Sequence, residues 1–83
     1  MKLVYFAWVR EKIGTAEETI DPPHDVETVG ELLQWLKGRG EAYERALAEP
    51  AAIRVALDQD HADHDAPIAG IREVALFPPM TGG

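Results

Sequence analysis

The chain is 83 residues long, which allows one domain around a single small core. It contains no cysteine, so disulfide bonds and thiolate chemistry are excluded, and we expect a cytoplasmic protein. The net charge of −7 argues against nucleic acid or a membrane surface as partner, because such binding depends on clustered lysine and arginine. No apolar run approaches the roughly 20 residues that a membrane-spanning helix needs.

Residues 1–20 predict a β-hairpin. The apolar, β-rich run 2–9 indicates a first strand, residues 11–14 indicate a turn, and residues 15–20 indicate a second strand. The second strand should end before Pro22 and Pro23, because proline cannot donate to a sheet ladder. Alternation predicts that one side of the first strand is buried. The other side carries Lys2, Val4, Phe6 and Trp8.

Residues 28–49 predict two helices. Thr28 followed by Glu31 is a capping box, and a glycine at position 38 indicates where the helix ends. The apolar positions of this main helix follow one stripe, at Val29, Leu32, Leu33 and Leu36. A second, shorter helix is predicted over residues 41–49, since Pro50 would end it.

The remaining sequence predicts two more strands. Ile53, Val55 and Leu57 alternate with more polar positions, which is typical of a half-buried strand. Residues 59–70 are polar and turn-like, with a short pairing around residues 67–68, and the last strand is expected over residues 71–77. The resulting order, β-β-α-(α)-β-β, predicts an α+β fold of the β-grasp (ubiquitin-like) type, a mixed sheet with the main helix on one face.

In such a sheet the first and last strands lie side by side and parallel at the centre. Phe6 and Phe77 should then lie near each other on the face away from the helix, where an apolar aromatic patch is a candidate docking surface. The alternative is that these rings cover each other or a loop. Trp35 is expected at the edge of the packed face of the main helix.

The end of the sequence predicts an extended tail over residues 78–83, beyond a domain over residues 1–77. Pro78 and Pro79 stiffen its start, because each ring fixes φ and removes a donor. Gly82 and Gly83 have no side chains, so they favour a narrow end that can thread a channel and present the carboxylate of Gly83 to a reactive atom. The alternative is a ragged terminus without a role.

These residues resemble a known family. The motif Phe-Pro-Pro-Met-Thr-Gly-Gly at 77–83, preceded by Glu-Val-Ala at 73–75, is similar to the end of the small sulfur-carrier subunit of molybdopterin synthase, the MoaD family. The start is also similar, with Val-Tyr-Phe-Ala at 4–7, Val-Arg-Glu at 9–11 and a glycine at position 14. The resemblance covers the whole chain, and its C-terminal motif is the specific part.

The resemblance implies a mechanism in which this chain is a carrier. An E1-like adenylyltransferase would use ATP to adenylate the Gly83 carboxylate, and sulfur would replace AMP to give a thiocarboxylate. The tail would then enter the large synthase subunit and donate sulfur to cyclic pyranopterin monophosphate in molybdenum cofactor biosynthesis. The family suggests a heterotetramer of two small and two large subunits, with catalysis on the large subunit and no cofactor bound by the small one.

The resemblance also assigns residues to these steps. Met80, Thr81 and Gly82 would thread the partner's channel, while the partner contact would comprise Phe6, Phe77, Pro78, Pro79 and His61. The family tends to have an apolar residue where this chain has His61. It also usually reads Gly-Asp-Glu-Val before the last strand, whereas this chain has Ile-Arg-Glu-Val at 71–74 with Gly70 displaced. The resemblance therefore does not specify the geometry of the preceding turn, while the chemistry that it implies for the tail is unaffected.

Other interpretations compete with the sulfur carrier. His61 and His64, with carboxylates around them, could suggest a metal site, but a solvated loop without metal is the expectation. A thiamine-type sulfur carrier shares the fold and the Gly-Gly end, although such chains lack the Phe-Pro-Pro approach. A β-grasp interaction module with an inert tail and a modifier attached covalently to lysines are the remaining alternatives.

Overall fold

The computed structural model describes residues 1–79 as a mixed sheet with helices packed on one face. The elements in chain order are β1 Lys2–Tyr5, α1 Ala7–Ile13, β2 Glu17–Thr19, α2 Val29–Lys37, α3 Glu41–Ala46, a 3₁₀ turn Pro50–Ala52, β3 Arg54–Leu57, β4 Asp60–Ala62 and β5 Glu73–Phe77. Across the sheet the strand order is β2-β1-β5-β3-β4. Within residues 1–79, no helix is long and apolar enough to cross a bilayer.

The predicted centre of the sheet is confirmed. β1 and β5 are parallel neighbours, with Lys2 opposite Glu73 and Tyr5 opposite Leu76. β3 pairs antiparallel with the other edge of β5. Because β5 lies between β1 and β3, the last strand before the C-terminal residues is held by hydrogen bonds along both edges.

α2 is the predicted main helix and forms for the predicted reasons. The Thr28 side chain accepts a hydrogen bond from the Glu31 N–H, and the Glu31 carboxylate accepts one from the Thr28 N–H, so both halves of the capping box are present. Its apolar stripe is buried in the core together with Leu3 and Leu76. This stripe comprises Val29, Leu32, Leu33 and Leu36.

The predicted N-terminal hairpin is wrong. β1 and β2 do pair antiparallel, but they are joined by α1 rather than by a turn. Ala7 adopts a φ of 53°, which turns the chain out of the sheet, and Gly14 ends the helix with a φ of 95°. Because residues 7–13 are helical, Val9 is buried at the side of the sheet rather than within the first strand, and α1 contacts α3.

The prediction of a turn-like loop over residues 59–70 is wrong at its start. Residues 60–62 form β4, which pairs antiparallel with β3. The two strands are joined by Asp58 and Gln59, whose φ values are 48° and 75°. Positive φ at both central positions is the geometry of a two-residue type I′ hairpin. The predicted pairing near residue 67 is confirmed as an isolated bridge between Thr28 and Pro67.

The other predicted elements differ mainly at their ends. α3 stops at Ala46 rather than reaching residue 49, and residues 50–52 form a 3₁₀ turn that begins at proline. The last strand begins at Glu73 rather than at residue 71. Trp35 is partly buried against the core, as predicted for the edge of the packed helix face.

Candidate functional site

The sheet face away from the helices carries the predicted docking surface. Strand register places alternate residues of β1, β5, β3 and β4 on this face, where the side chains at its centre are apolar or aromatic. We call these central residues the docking face: Val4, Phe6, Ala56, His61, Ala75 and Phe77. Charged residues border them, with Lys2, Glu17 and Glu73 towards one end and Arg54 towards the other.

Phe6 is the most exposed large apolar side chain of the described residues, at 47% exposure. Its backbone is extended, and its N–H donates a hydrogen bond of 3.1 Å to the Leu76 carbonyl oxygen. Phe6 therefore continues the register of β1 by one residue, which brings it beside Phe77 at the end of β5. The predicted shared face is confirmed, while the role of both residues in partner contact stays a prediction.

Phe77 has an aromatic partner that the sequence did not reveal. Its ring lies 5.6 Å from the His61 ring, centroid to centroid, with an interplanar angle of 83°. This edge-to-face arrangement is favourable for aromatic pairs. Arg54 on β3 lies directly opposite Phe77 in the sheet. Half-buried Phe77 therefore lies beside Arg54 on β3 and packs against His61 on β4.

The two histidines predicted in one loop have different surroundings. His61 lies on β4 against Phe77, whereas the Nε2 atom of His64 lies 2.9 Å from the Ile53 carbonyl oxygen. Residues 1–79 contain no group of three or more histidine and acidic side chains placed to hold a metal ion. The side chains of the docking face are therefore described by their aromatic and apolar character, at Phe6, Phe77 and His61.

The tail begins at the edge of the docking face. Phe77 is the last residue of β5, and Pro78 and Pro79 follow outside any helix or strand, half-buried and exposed respectively. Met80, Thr81, Gly82 and Gly83 lie outside the described residues, so the predictions made for them are not tested by the structure. The boundary predicted at residue 77 coincides with the end of β5.

The turn before β5 contains Gly70, the glycine that is displaced relative to the family pattern. Gly70 adopts a φ of 77°, and the Ile71 N–H donates to the Ile68 carbonyl oxygen. The Asp58 carboxylate at the β3–β4 turn accepts hydrogen bonds from the backbone N–H groups of Arg72 and Glu73, at 3.0 and 2.9 Å. The start of β5 is therefore held by a side chain from the neighbouring hairpin.

A polar cluster on the helix side was missed by the sequence reasoning. Glu18 accepts hydrogen bonds of 2.7 Å from both Tyr5 and Tyr43, and its other oxygen pairs with Arg39 at 3.2 Å. Burial opposes the charge of Glu18, but these hydrogen bonds outweigh burial, so the pKa of Glu18 is lowered. Burial and the bond to Glu18 raise the pKa of Tyr5 and of Tyr43. The available signal was alternation, which puts Glu18 on the same side of β2 as buried Ile20.

An open groove of about 670 Å³ lies at the far end of the sheet from the tail. It is lined in part by residues that lie outside the strands: Met1, Pro22, Pro23, Ile68 and Ile71. The groove does not adjoin Phe77, so the described residues place the docking face, and not this groove, beside the start of the tail.

The mixed sheet, with parallel central strands and a helix across one face, defines a ubiquitin-like protein of the β-grasp fold. A profile of the ThiS family matches residues 3–83, and the chain belongs to this family.

Two bacterial relatives are similar to the chain over its whole length. The molybdopterin synthase sulfur carrier subunit of Escherichia coli (strain K12) is 35% identical over 83 residues, which cover 100% of this chain and 99% of that protein. The protein of the same description from Haemophilus influenzae is 30% identical, with the same coverage. Among solved structures, small archaeal modifier protein 1 of Haloferax volcanii matches with a TM-score of 0.73 and 28% identity, covering 96% of this chain and 97% of that one.

Proposed function

We propose that this protein is the sulfur-carrier subunit of a molybdopterin synthase and acts in molybdenum cofactor biosynthesis. The observation that carries the proposal is the full-length similarity, at 35% identity, to a relative of that description. The coverage includes the Gly-Gly end, so the similarity is not confined to the β-grasp domain. The predicted aromatic docking face beside the start of the tail supports the same proposal.

The proposed chemistry takes place at the carboxylate of Gly83. This carboxylate attacks the α-phosphate of ATP on an E1-like adenylyltransferase, which forms an acyl-adenylate and releases pyrophosphate. Hydrosulfide then attacks the acyl carbon and displaces AMP, which leaves a thiocarboxylate. Activation is required because an ionised carboxylate is a poor acceptor for a nucleophile, whereas AMP is a good leaving group. This chain contributes the carried group, and the general acid and base belong to its partners.

The proposed partner in the synthase is the large subunit. Phe6, Phe77 and Pro78 contact it, while the segment from Met80 to Gly83 enters its active site and delivers sulfur to cyclic pyranopterin monophosphate. The assembly contains two small and two large subunits, and it works in the cytoplasm. Exposed Phe6 supports this contact, because aromatic side chains are enriched at the energetic centres of protein interfaces.

Intact-mass measurement tests the carrier chemistry. The purified chain is incubated with the adenylyltransferase, ATP and a sulfide source, and its mass should increase by the exchange of one oxygen for one sulfur. A variant lacking Gly83 is the matched control and should not gain this mass. A chain that never gains sulfur, or that gains it equally without Gly83, contradicts the proposal. Offering the thiocarboxylate to molybdopterin and thiamine acceptor enzymes in parallel then separates the two types of carrier.

A covalent modifier is a second candidate, and one observation favours it. A protein named as a small archaeal modifier shares the fold at a TM-score of 0.73 and 28% identity. In this role the activated Gly83 carboxyl group would form an isopeptide bond with a lysine amine of another protein. Mass spectrometry of conjugates from cells expressing the tagged chain, compared with the variant lacking Gly83, tests it. Isopeptide-linked peptides found only with intact Gly83 support this candidate.

A further inference from the structure

His61 belongs to the docking face and is held there by its strand and by Phe77. It lies on β4 opposite Ala56, and its ring packs edge-to-face with Phe77 at 5.6 Å. It is also exposed, so that a partner covering Phe77 must also cover the imidazole. A histidine on this face introduces a group that can change its charge under physiological conditions, which phenylalanine and alanine cannot do.

The charged groups around His61 do not neutralise an imidazolium. Within residues 1–79, no carboxylate oxygen lies within 4.0 Å of a His61 nitrogen. β3 contributes a cation at Arg54 on the same face, and β5 contributes Glu73 towards the opposite end. The Asp58 carboxylate is engaged by two backbone N–H groups of the turn before β5. The acidic residues nearest to His61 in the sequence are Asp60 on β4 and Asp63, which follows the end of β4.

Docking removes water from whatever the partner covers. A neutral imidazole beside Phe77 and Ala56 can be covered at small cost, because it continues an aromatic and apolar surface. An imidazolium at the same place loses its hydration without an ion-pair partner among residues 1–79, and burying an unpaired charge is unfavourable. The protonated form of the free protein therefore competes with docking.

We propose that His61 is a specificity-determining residue of the docking face. The docking face binds the large synthase subunit while the imidazole of His61 is neutral, so this binding weakens on acidification. The inference rests on the proposed function, which supplies the partner. The inference implies a partner surface that is apolar opposite His61. This surface would offer a hydrogen-bond donor or acceptor to the neutral imidazole, and it would carry no carboxylate there, because a carboxylate would favour the imidazolium.

The test compares the pH dependence of binding in wild type and His61→Phe. Phenylalanine keeps an aromatic ring against Phe77 but cannot be protonated. Affinity for the purified large subunit is measured by titration calorimetry from about pH 5.5 to pH 7.5, the range over which a histidine ordinarily changes charge. We expect wild-type affinity to fall several-fold more than that of His61→Phe over this range, because only the wild type carries a side chain at position 61 that can gain a charge.

Titration of the partner's own groups is common to both proteins, so the difference between the two profiles isolates His61. His24→Gln is the matched control, because it removes an exposed histidine that lines the groove at the far end of the sheet. This variant should keep the wild-type profile. Parallel profiles for wild type and His61→Phe, or a wild-type affinity that falls less than that of His61→Phe on acidification, overturn the inference alone. Absence of binding at every pH overturns the proposed function together with it.

Discussion

Glu18 connects three elements of the fold and the loop between α2 and α3 through one carboxylate. It lies on β2 and receives hydrogen bonds from Tyr5 on β1 and Tyr43 on α3, while Arg39 beyond α2 pairs with its second oxygen. The Arg39 guanidinium also lies 5.3 Å from the centroid of the Tyr43 ring. Hydrogen bonds to a charged acceptor are stronger than neutral ones, and partial burial limits screening by solvent. We therefore expect this cluster to stabilise the contact between the sheet edge and the helices.

Glu18→Gln should destabilise the fold by about 1–3 kcal/mol, because one neutral amide replaces a charged acceptor of three hydrogen bonds. The matched control is Glu17→Gln on the same strand. Glu17 pairs with Lys2 at 3.4 Å, but both side chains are about half exposed, so we expect a change within about 0.5 kcal/mol. Urea unfolding followed by circular dichroism measures both. Equal effects of the two substitutions would contradict a special role for Glu18.

The same cluster predicts a pH dependence with a definite sign. Because the pKa of folded Glu18 is lowered, its contribution is present above the unfolded pKa and is lost as pH falls through the folded pKa. The pKa values of Tyr5 and Tyr43 are raised, so their contribution is present below the unfolded tyrosine pKa and is lost in more alkaline solution. The stability difference between wild type and Glu18→Gln should therefore shrink on acidification, which unfolding from about pH 7 to pH 3 measures. A difference that is independent of pH would assign the effect to packing.

Among the elements, the β3–β4 hairpin carries strain that can be relieved. Gln59 adopts a φ of 75° in the two-residue turn, where a side chain is disfavoured and glycine is not. Gln59→Gly should therefore stabilise the protein by about 0.5–1 kcal/mol. Thermal unfolding by circular dichroism measures the gain. It should leave the docking face intact, since His61 keeps its pairing with Ala56.

Asp58→Gly is the informative comparison for that prediction. Asp58 also has a positive φ, 48°, so glycine relieves similar backbone strain. However, its carboxylate accepts hydrogen bonds from the Arg72 and Glu73 N–H groups, and glycine cannot replace it. We expect net destabilisation, by about 1 kcal/mol or more, because two donors at the start of β5 lose their acceptor. Stabilisation by both substitutions would show that the Asp58 hydrogen bonds contribute little.

Elements with local signals could be predicted from the sequence, and elements that depend on distant partners could not. α2 was predictable because the capping box of Thr28 and the apolar stripe both lie within the helix itself. α1 was misread because the run from Leu3 to Val9 is apolar throughout and has no clear period; the conformation of Ala7 ends the strand. Gly14 as a helix end was the available signal.

The same distinction holds for the candidate site. Phe6 and Phe77 could be assigned to one face because alternation in two central strands is a local pattern, and their register follows from the fold. The contact between His61 and Phe77 could not be predicted, because β4 is polar and exists through pairing with β3 across a turn without a typical sequence. Arg54 opposite Phe77 required the same register between β3 and β5.

At the scale of the whole molecule, the proposed function uses two separate parts: the docking face binds the partner, and the Gly83 carboxylate carries the sulfur. The domain ends with β5 held between two neighbouring strands, so Phe77 is fixed relative to Phe6 and His61. Residues 78–83 can span at most about 20 Å when fully extended, which bounds how far the carboxylate can reach from that point. A substitution on the docking face should therefore affect binding alone, and a change at the C-terminal end should affect sulfur transfer alone.

Two variants should lose different steps: Phe6→Ala should lose binding, and a chain extended by one alanine after Gly83 should lose thiocarboxylate formation. Phe6→Ala should weaken binding to the large subunit by about tenfold or more, as truncation of an interface aromatic often does. The extended chain should bind normally but form no thiocarboxylate, because its terminal carboxylate is no longer on Gly83. Phe6 is 47% exposed, so its substitution should change stability by less than about 1 kcal/mol, which thermal unfolding checks.

Lys37→Ala is the matched surface control for binding, since Lys37 lies in the last turn of α2 on the other side of the sheet. It should leave both affinity and thiocarboxylate formation unchanged. If Phe6→Ala binds like Lys37→Ala, the docking face is not the synthase contact, although sulfur loading of Gly83 can still succeed. If the extended chain loses affinity as well, the terminal residues carry binding energy and the face alone does not position the tail. We expect Phe6→Ala alone to lose binding and the extended chain alone to lose thiocarboxylate formation. This outcome would show that the carrier binds through its sheet and reacts through its C-terminal carboxylate.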